Sequence, residues 1–224
     1  MSDQYKAVLF DLDGTLLETL EDITFSMNET LKYFNMGSVD INDMRRLVGH
    51  GAKILAEGVL NHLYGDQQSP EMKELLLSKF AEIYRDNSTV RTKPYEGISD
   101  LLDWLAEKGI LTGVLSNKPH VATLNVLRYY FPEHMFDFVA GYREGVPRKP
   151  NPAGIYEFCH TLGLNTSEVL FVGDSEVDLE TGRNASVDCI GVLWGFRDKD
   201  TLLKCGAKAL IDSPGEIKKF LEAV

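Results

Sequence analysis

Cysteine is scarce in this chain. Cys159, Cys189 and Cys205 are the only three among 224 residues, and they lie far apart with no CxxC pair. That argues against a disulfide framework or a zinc site and fits bystander thiols in a reducing compartment. Long apolar runs are missing as well, and none approaches the ~20 residues that span a bilayer. The opening residues, MSDQYKAV, lack the basic-then-apolar layout of a secretory signal. Positive charge is also in short supply. Lys and Arg number 23 against 34 Asp and Glu, a net charge of −11. A surface of that sign disfavours nucleic acid and anionic membrane as partners. It still admits a small anion where a metal and a lysine override the global field. No repeat, low-complexity tract or long linker interrupts the chain. The expectation is a cytoplasmic protein without membrane or nucleic-acid partners, its oligomeric state left open.

What is present is concentrated first in Lys6 to Leu17, KAVLFDLDGTLL. The apolar run Ala7 to Phe10 predicts a buried strand. It ends in Asp11, with Asp13 two residues on and a Gly14-Thr15 turn after it. Two acids at the end of a core strand are costly unless a cation compensates them, and a hard divalent ion prefers such oxygen donors.

The stretch from Glu18 to Thr92 reads almost wholly helical. Leu20, Ile23, Met27, Leu31 and Phe34 share one helix face, and Met72, Leu75, Leu76, Phe80 and Ile83 share another. From Pro94 short apolar strands alternate with helices: Leu111–Leu115, a weak Phe138–Ala140, Val169–Val172, Val187–Val192 and Ala209–Ile211. This pattern predicts an α/β fold, a Rossmann-like parallel sheet with helices on both faces. The core domain would comprise residues 1–17 and 93–224, and residues 18–92 an inserted all-helical cap. In such sheets ligands bind beyond the carboxyl ends of the strands. Asp11, Ser116 and Asp174 each end a different predicted strand, so they face one crevice with the helical insert as its lid.

Four sites need one explanation: Asp11 with Asp13, Ser116 with Asn117, Lys149 in RKPNP, and Asp174 with Asp178 in GDSEVD. They offer carboxylates for a hard metal, one ammonium and hydroxyl or amide donors. That set suits phosphoryl transfer, which needs its equatorial charge neutralised and its nucleophile aligned. It also suits a carboxylate that attacks phosphorus itself.

In these motifs the chain resembles the haloacid dehalogenase superfamily of hydrolases, most closely its phosphoglycolate phosphatase-like branch. DxDGT alone is moderately specific; followed in order by Ser-Asn, Lys-Pro and GDSxxD it is strongly so. The resemblance implies a Mg²⁺-dependent phosphatase of small phosphorylated metabolites, 2-phosphoglycolate foremost, working through an aspartyl phosphate. Nucleotidase, pyrophosphatase and β-phosphoglucomutase-like activities are its alternatives. By motif position Asp11 would be nucleophile and metal ligand, and Asp13 the acid and then the base, its backbone carbonyl on the metal. Thr15 would orient Asp13 and, with Ser116 and the Asn117 amide, line the phosphoryl site. Lys149 would bridge nucleophile and phosphoryl group. Asp174 would ligate Mg²⁺, and Asp178 would order the metal's waters or Lys149. Two small departures are Glu18 and Ser186, where the family often has Asp and Gly.

Outside the motifs, Lys118 reads as solvated. Ser116 doubles as a potential helix cap. Arg45, Arg46 and His50, around Gly49 and Gly51, form a basic loop that could receive a substrate carboxylate.

Overall fold

A computed structural model describes residues 5–66 and 68–223. Its centre is β1 (Ala7–Phe10), buried on both faces. Its side chains alternate, as strand geometry requires. Val8 and Phe10 enter one hydrophobic cluster, Ala7 and Leu9 the other. Five further strands complete a parallel sheet: β4 (Leu111–Pro119), β5 (Phe138–Tyr142), β6 (Val169–Gly173), β7 (Asp188–Val192) and β8 (Ala209–Ile211). Their order is β5-β4-β1-β6-β7-β8. Phe10 is level with Val114 on one side and Val172 on the other. The strand order reverses at β1, so Asp11 leaves the sheet at its topological switch point, where open parallel sheets bind ligands.

Helices cover both faces. On the Val8/Phe10 side lie α5 (Ile98–Glu107), α6 (His120–Tyr130) and α10 (Gly215–Ala223), through Leu101, Val126 and Ile217. On the Ala7/Leu9 side lie α7 (Ala153–Leu162) and α8 (Glu176–Ala185), through Ile155, Phe158 and Ala185. A short α9 (Lys199–Lys204) precedes β8 and is not evident from periodicity. α8 closes on Ser186 with φ of 55°, a left-handed position usually given to glycine.

Between β1 and α5 the chain makes four helices: α1 (Leu20–Tyr33), α2 (Ile41–Leu47), α3 (Ala52–Tyr64) and α4 (Pro70–Asn87). Local sequence sets their starts. Asp40 accepts from the Asn42 amide, and Ser69 accepts from the Met72 amide with Pro70 in the first turn. They enclose a cluster of their own, which includes Leu20, Met27, Leu60 and Phe80. The predicted stripe on α1 holds. On α4 the buried stripe is Leu76, Phe80 and Tyr84 at i, i+4, i+8, while Leu75 is turned out. The chain leaves and re-enters through a two-stranded antiparallel link, β2 (Leu17–Glu18) with β3 (Lys93–Pro94). Asp22, wholly buried, fixes that link by accepting from the Arg91 amide at 2.9 and 3.0 Å and the Thr92 amide at 2.8 Å.

Candidate active site

The carboxyl edge of the sheet brings the four motifs to one place. Asp11 follows β1 and Asp174 follows β6. Lys149 arrives on the loop between β5 and α7, and Asp178 stands in the first turn of α8. Carboxylate oxygens of Asp11, Asp174 and Asp178 lie within 4.8 Å of one another, all buried. Lys149 Nζ is the ammonium between them, 2.8 Å from Asp11 Oδ1 and 2.7 Å from Asp178 Oδ1. The Asp11 contact is ionic in character, because Oδ1 receives no well-directed hydrogen bond.

Three acids facing one lysine leave an excess of buried negative charge. Burial, followed by the charge of Asp178, pushes the Asp11 carboxyl up to about 7, against the downward pull of Lys149. Burial and the charges of Asp178 and Asp11 push Asp174 well up too. An oxygen-only set with this electrostatic deficit fits a hard divalent cation. Asp11, Asp174 and Asp178 are its candidate carboxylate donors. Asp178 is already engaged on both oxygens: Oδ1 holds Lys149, and Oδ2 accepts from the Ser175 amide at 3.1 Å and hydroxyl at 2.6 Å. The contact with Lys149 corresponds to one of the two options that the sequence leaves open for Asp178.

Backbone proximity at Asp174 explains two glycines. A Cβ on Gly14, whose φ is +89°, would stand 2.4 Å from Asp174 Oδ2, and one on Gly195 would stand 2.2 Å from Asp174 Cβ. The Phe196 amide donates to Asp174 Oδ2 at 2.6 Å.

Several residues are placed otherwise than expected. Thr15 is fully buried and its hydroxyl donates to Asp174 Oδ1 at 3.4 Å, so that hydroxyl is directed at Asp174 rather than at Asp13. Ser116 caps no helix: β4 runs on to Pro119, α6 begins at His120, and Ser116 Oγ accepts from the Lys118 amide. Ser116 and Asn117 both line the main cavity. The Asn117 side chain is spent on structure, donating to Gly49 O at 3.1 Å and Lys149 O at 3.0 Å. Arg45 and His50 are not brought to the cavity wall. Arg45, exposed in the last turn of α2, reaches Gly195 O at 3.3 Å, and His50 gives its carbonyl to Arg148.

The largest surprise is Lys118. It is buried, and Nζ sits 2.9 and 3.0 Å from the two oxygens of Asp13 and 2.7 Å from the Tyr84 hydroxyl. The expectation of a solvated lysine fails because β4 is longer than its apolar run. Its pairing with β5 shifts register between Leu115 and Pro119, and in that irregular stretch Lys118 is buried against the site. Tyr84 comes from α4, and burial pushes its hydroxyl up to about 12. A second link joins the insert to the sheet. Arg197 pairs with Glu176 at 2.8 Å and donates to the Arg45 and Val48 carbonyls at 2.6 and 2.9 Å.

A parallel sheet with its acids at the switch point, a lysine among them and a helical insert after the first strand define a class of hydrolytic α/β enzymes. Residues 8–192 match the model of the family described as haloacid dehalogenase-like hydrolase, and the chain belongs to that family. It is similar to a phosphoglycolate phosphatase of Mannheimia succiniciproducens, 30% identical over 88% of this chain and 89% of that one. It is also similar to an N-acetylmuramic acid 6-phosphate phosphatase of Pseudomonas aeruginosa, 32% identical over 97% and 95%. The crystal structure of a predicted phosphoglycolate phosphatase from Haemophilus somnus superposes with a TM-score of 0.92 at 25% identity, covering 99% of each chain. Among the described residues no helix is long and apolar enough to cross a membrane.

Proposed function

We propose that the chain is a Mg²⁺-dependent phosphatase of small phosphomonoesters that works through an aspartyl phosphate in the cytoplasm. The observation that carries this is the cluster of Asp11, Asp174 and Asp178 around Lys149 at the sheet's switch point. Asp11, Asp174 and the Asp13 carbonyl would hold the ion. Bound there, Mg²⁺ would supply charge neutralisation at the phosphoryl oxygens. Lys149 would offset the rest of the repulsion between Asp11 and a phosphate dianion.

The steps belong to the chain's own residues. An Asp11 oxygen attacks phosphorus, the ester P–O bond breaks, and protonated Asp13 gives its proton to the departing oxygen. A water then attacks the phosphoryl group, Asp13 takes that water's proton, and the Asp11–phosphorus bond breaks to release inorganic phosphate. Lys118, 2.9 and 3.0 Å from the two oxygens of Asp13, would set the direction of that carboxylate once its proton has been given up. Residues 18–92 act as the cap that excludes bulk water.

The names of its relatives offer two chemically different substrates, phosphoglycolate and a sugar phosphate. The test is phosphate release from a panel of monoesters with and without Mg²⁺, and phosphoprotein trapping with wild type and Asp11→Asn. Metal-dependent release with label on the wild type alone supports the mechanism. Label on Asp11→Asn, or unchanged turnover in it, removes Asp11 as nucleophile.

A further inference from the structure

Beyond Asp11, Asp13 and Ser116 the site opens into a cavity of about 290 Å³. That approaches the ~300 Å³ at which pockets begin to enclose drug-sized ligands. The wall away from the phosphoryl residues is made by Ile23, Val48, Leu55, Phe80 and Ala122. Phe80 stacks on Tyr84 with ring centroids 5.5 Å apart and planes 18° from parallel, which gives a flat, rigid panel. Of the two cations at its border, Lys118 is buried and held by Asp13 and Tyr84, while Arg85 stays on the exposed rim beside Asp86. A substrate carboxylate seated against Leu55 and Phe80 would leave water for an apolar wall. At the rim, Val121 is 70% exposed, so a longer group has an exit to solvent.

We propose that the leaving group of the substrate is uncharged and largely apolar, an alkyl or aryl alcohol bulkier than glycolate, seated against Leu55 and Phe80. The proposal rests on the phosphatase reading above and gives that site its substrate class. Its chemistry balances: the ester bond breaks with its electron pair on the alcohol oxygen, the Asp13 proton neutralises it, and an alcohol leaves. Water later restores Asp11 and releases phosphate.

The experiment measures kcat/KM for ethyl, butyl and hexyl phosphate, whose alcohols have similar acidity, beside 2-phosphoglycolate. Calorimetry with the matching alkylphosphonates reads binding without turnover. The expected result is a rise of about fourfold per methylene, with hexyl phosphate ahead of phosphoglycolate and the phosphonates in the same order. Two partly exposed positions sharpen the test without threatening the fold. Ala122→Phe fills the cavity and lowers the hexyl-to-ethyl ratio about tenfold. Ala52→Arg adds a cation to the wall and raises the phosphoglycolate-to-hexyl ratio. A flat or falling alkyl series, or phosphoglycolate ahead of hexyl phosphate, overturns the inference while the phosphatase stands. Graded phosphonate binding with no hydrolysis of any ester upholds the pocket and overturns the hydrolytic reading. Neither hydrolysis nor graded binding overturns both.

Discussion

On the sheet side of the cleft Asp11, Lys118, Lys149, Asp174 and Asp178 are all buried and charged, while the facing helices present Ile23, Leu55 and Phe80. The two sides answer different demands. The reacting phosphoryl group changes its charge distribution during catalysis, so its side needs fixed charges in a site shielded from water. The leaving group only has to be gripped and released, so its side can be built from shape and apolar area. Polar contacts cross between the sides, among them Lys118 with Tyr84, Asn117 with Gly49, Arg148 with the His50 carbonyl, Arg45 with the Gly195 carbonyl, and Arg197 with the carbonyls that end α2.

The contrast is broken most severely at Asp11. Asp11→Asn lowers phosphate release by about 10³-fold or more. In chelator it raises the melting temperature, because one of three crowded carboxylates loses its charge. A lower melting temperature would show that the charged side is not under strain. Next in size is the metal itself. Chelation abolishes turnover, and Mg²⁺ at ~100 times its Kd restores about 2.7 kcal/mol of stability. Asp174→Asn shows a smaller Mg²⁺-induced shift in thermal unfolding.

Lys118→Met tests the seam between the two sides. It leaves Asp13 without its ion partner and lowers kcat about 10²-fold with KM nearly unchanged, and Lys118→Arg restores part of the loss. Equal losses in kcat and KM, with no rescue, would reduce Lys118 to packing. Arg197→Ala loosens the insert without touching the reacting atoms. KM rises about fivefold, and α2 amides exchange hydrogen faster. The smallest effect belongs to Tyr84→Phe. It keeps the ring against Phe80 and deletes one hydroxyl, for about 1 kcal/mol of stability in denaturant titration.

Much of the charged side was legible in the sequence, because strand ends carry their functional residues in short contiguous motifs. Asp11, Lys149, Asp174 and Asp178 meet as their motifs imply. Lys118 was misjudged because apolar content ends at Leu115 whereas the strand runs on to Pro119. Asp22 gave no signal at all: an acid in a first helical turn usually faces water, and only the return of residues 91 and 92 makes it a buried acceptor. Arg45 and His50 sit in a basic, glycine-flanked loop that reads as an anion site. The tertiary contacts turn Arg45 to Gly195 and give the loop's carbonyls to Arg148 and Arg197.

By itself, then, the sequence determined the parallel sheet, the helical insert and the charged motifs at the carboxyl edge of the sheet. Period-two and period-3.6 patterns and adjacent motif residues are local properties. The partners of Lys118, Asp22 and Arg197, and the apolar face of the cavity, were decided only by the tertiary structure. They depend on how α1, α3 and α4 settle over the sheet. That packing joins residues up to 152 positions apart, and no local pattern records it.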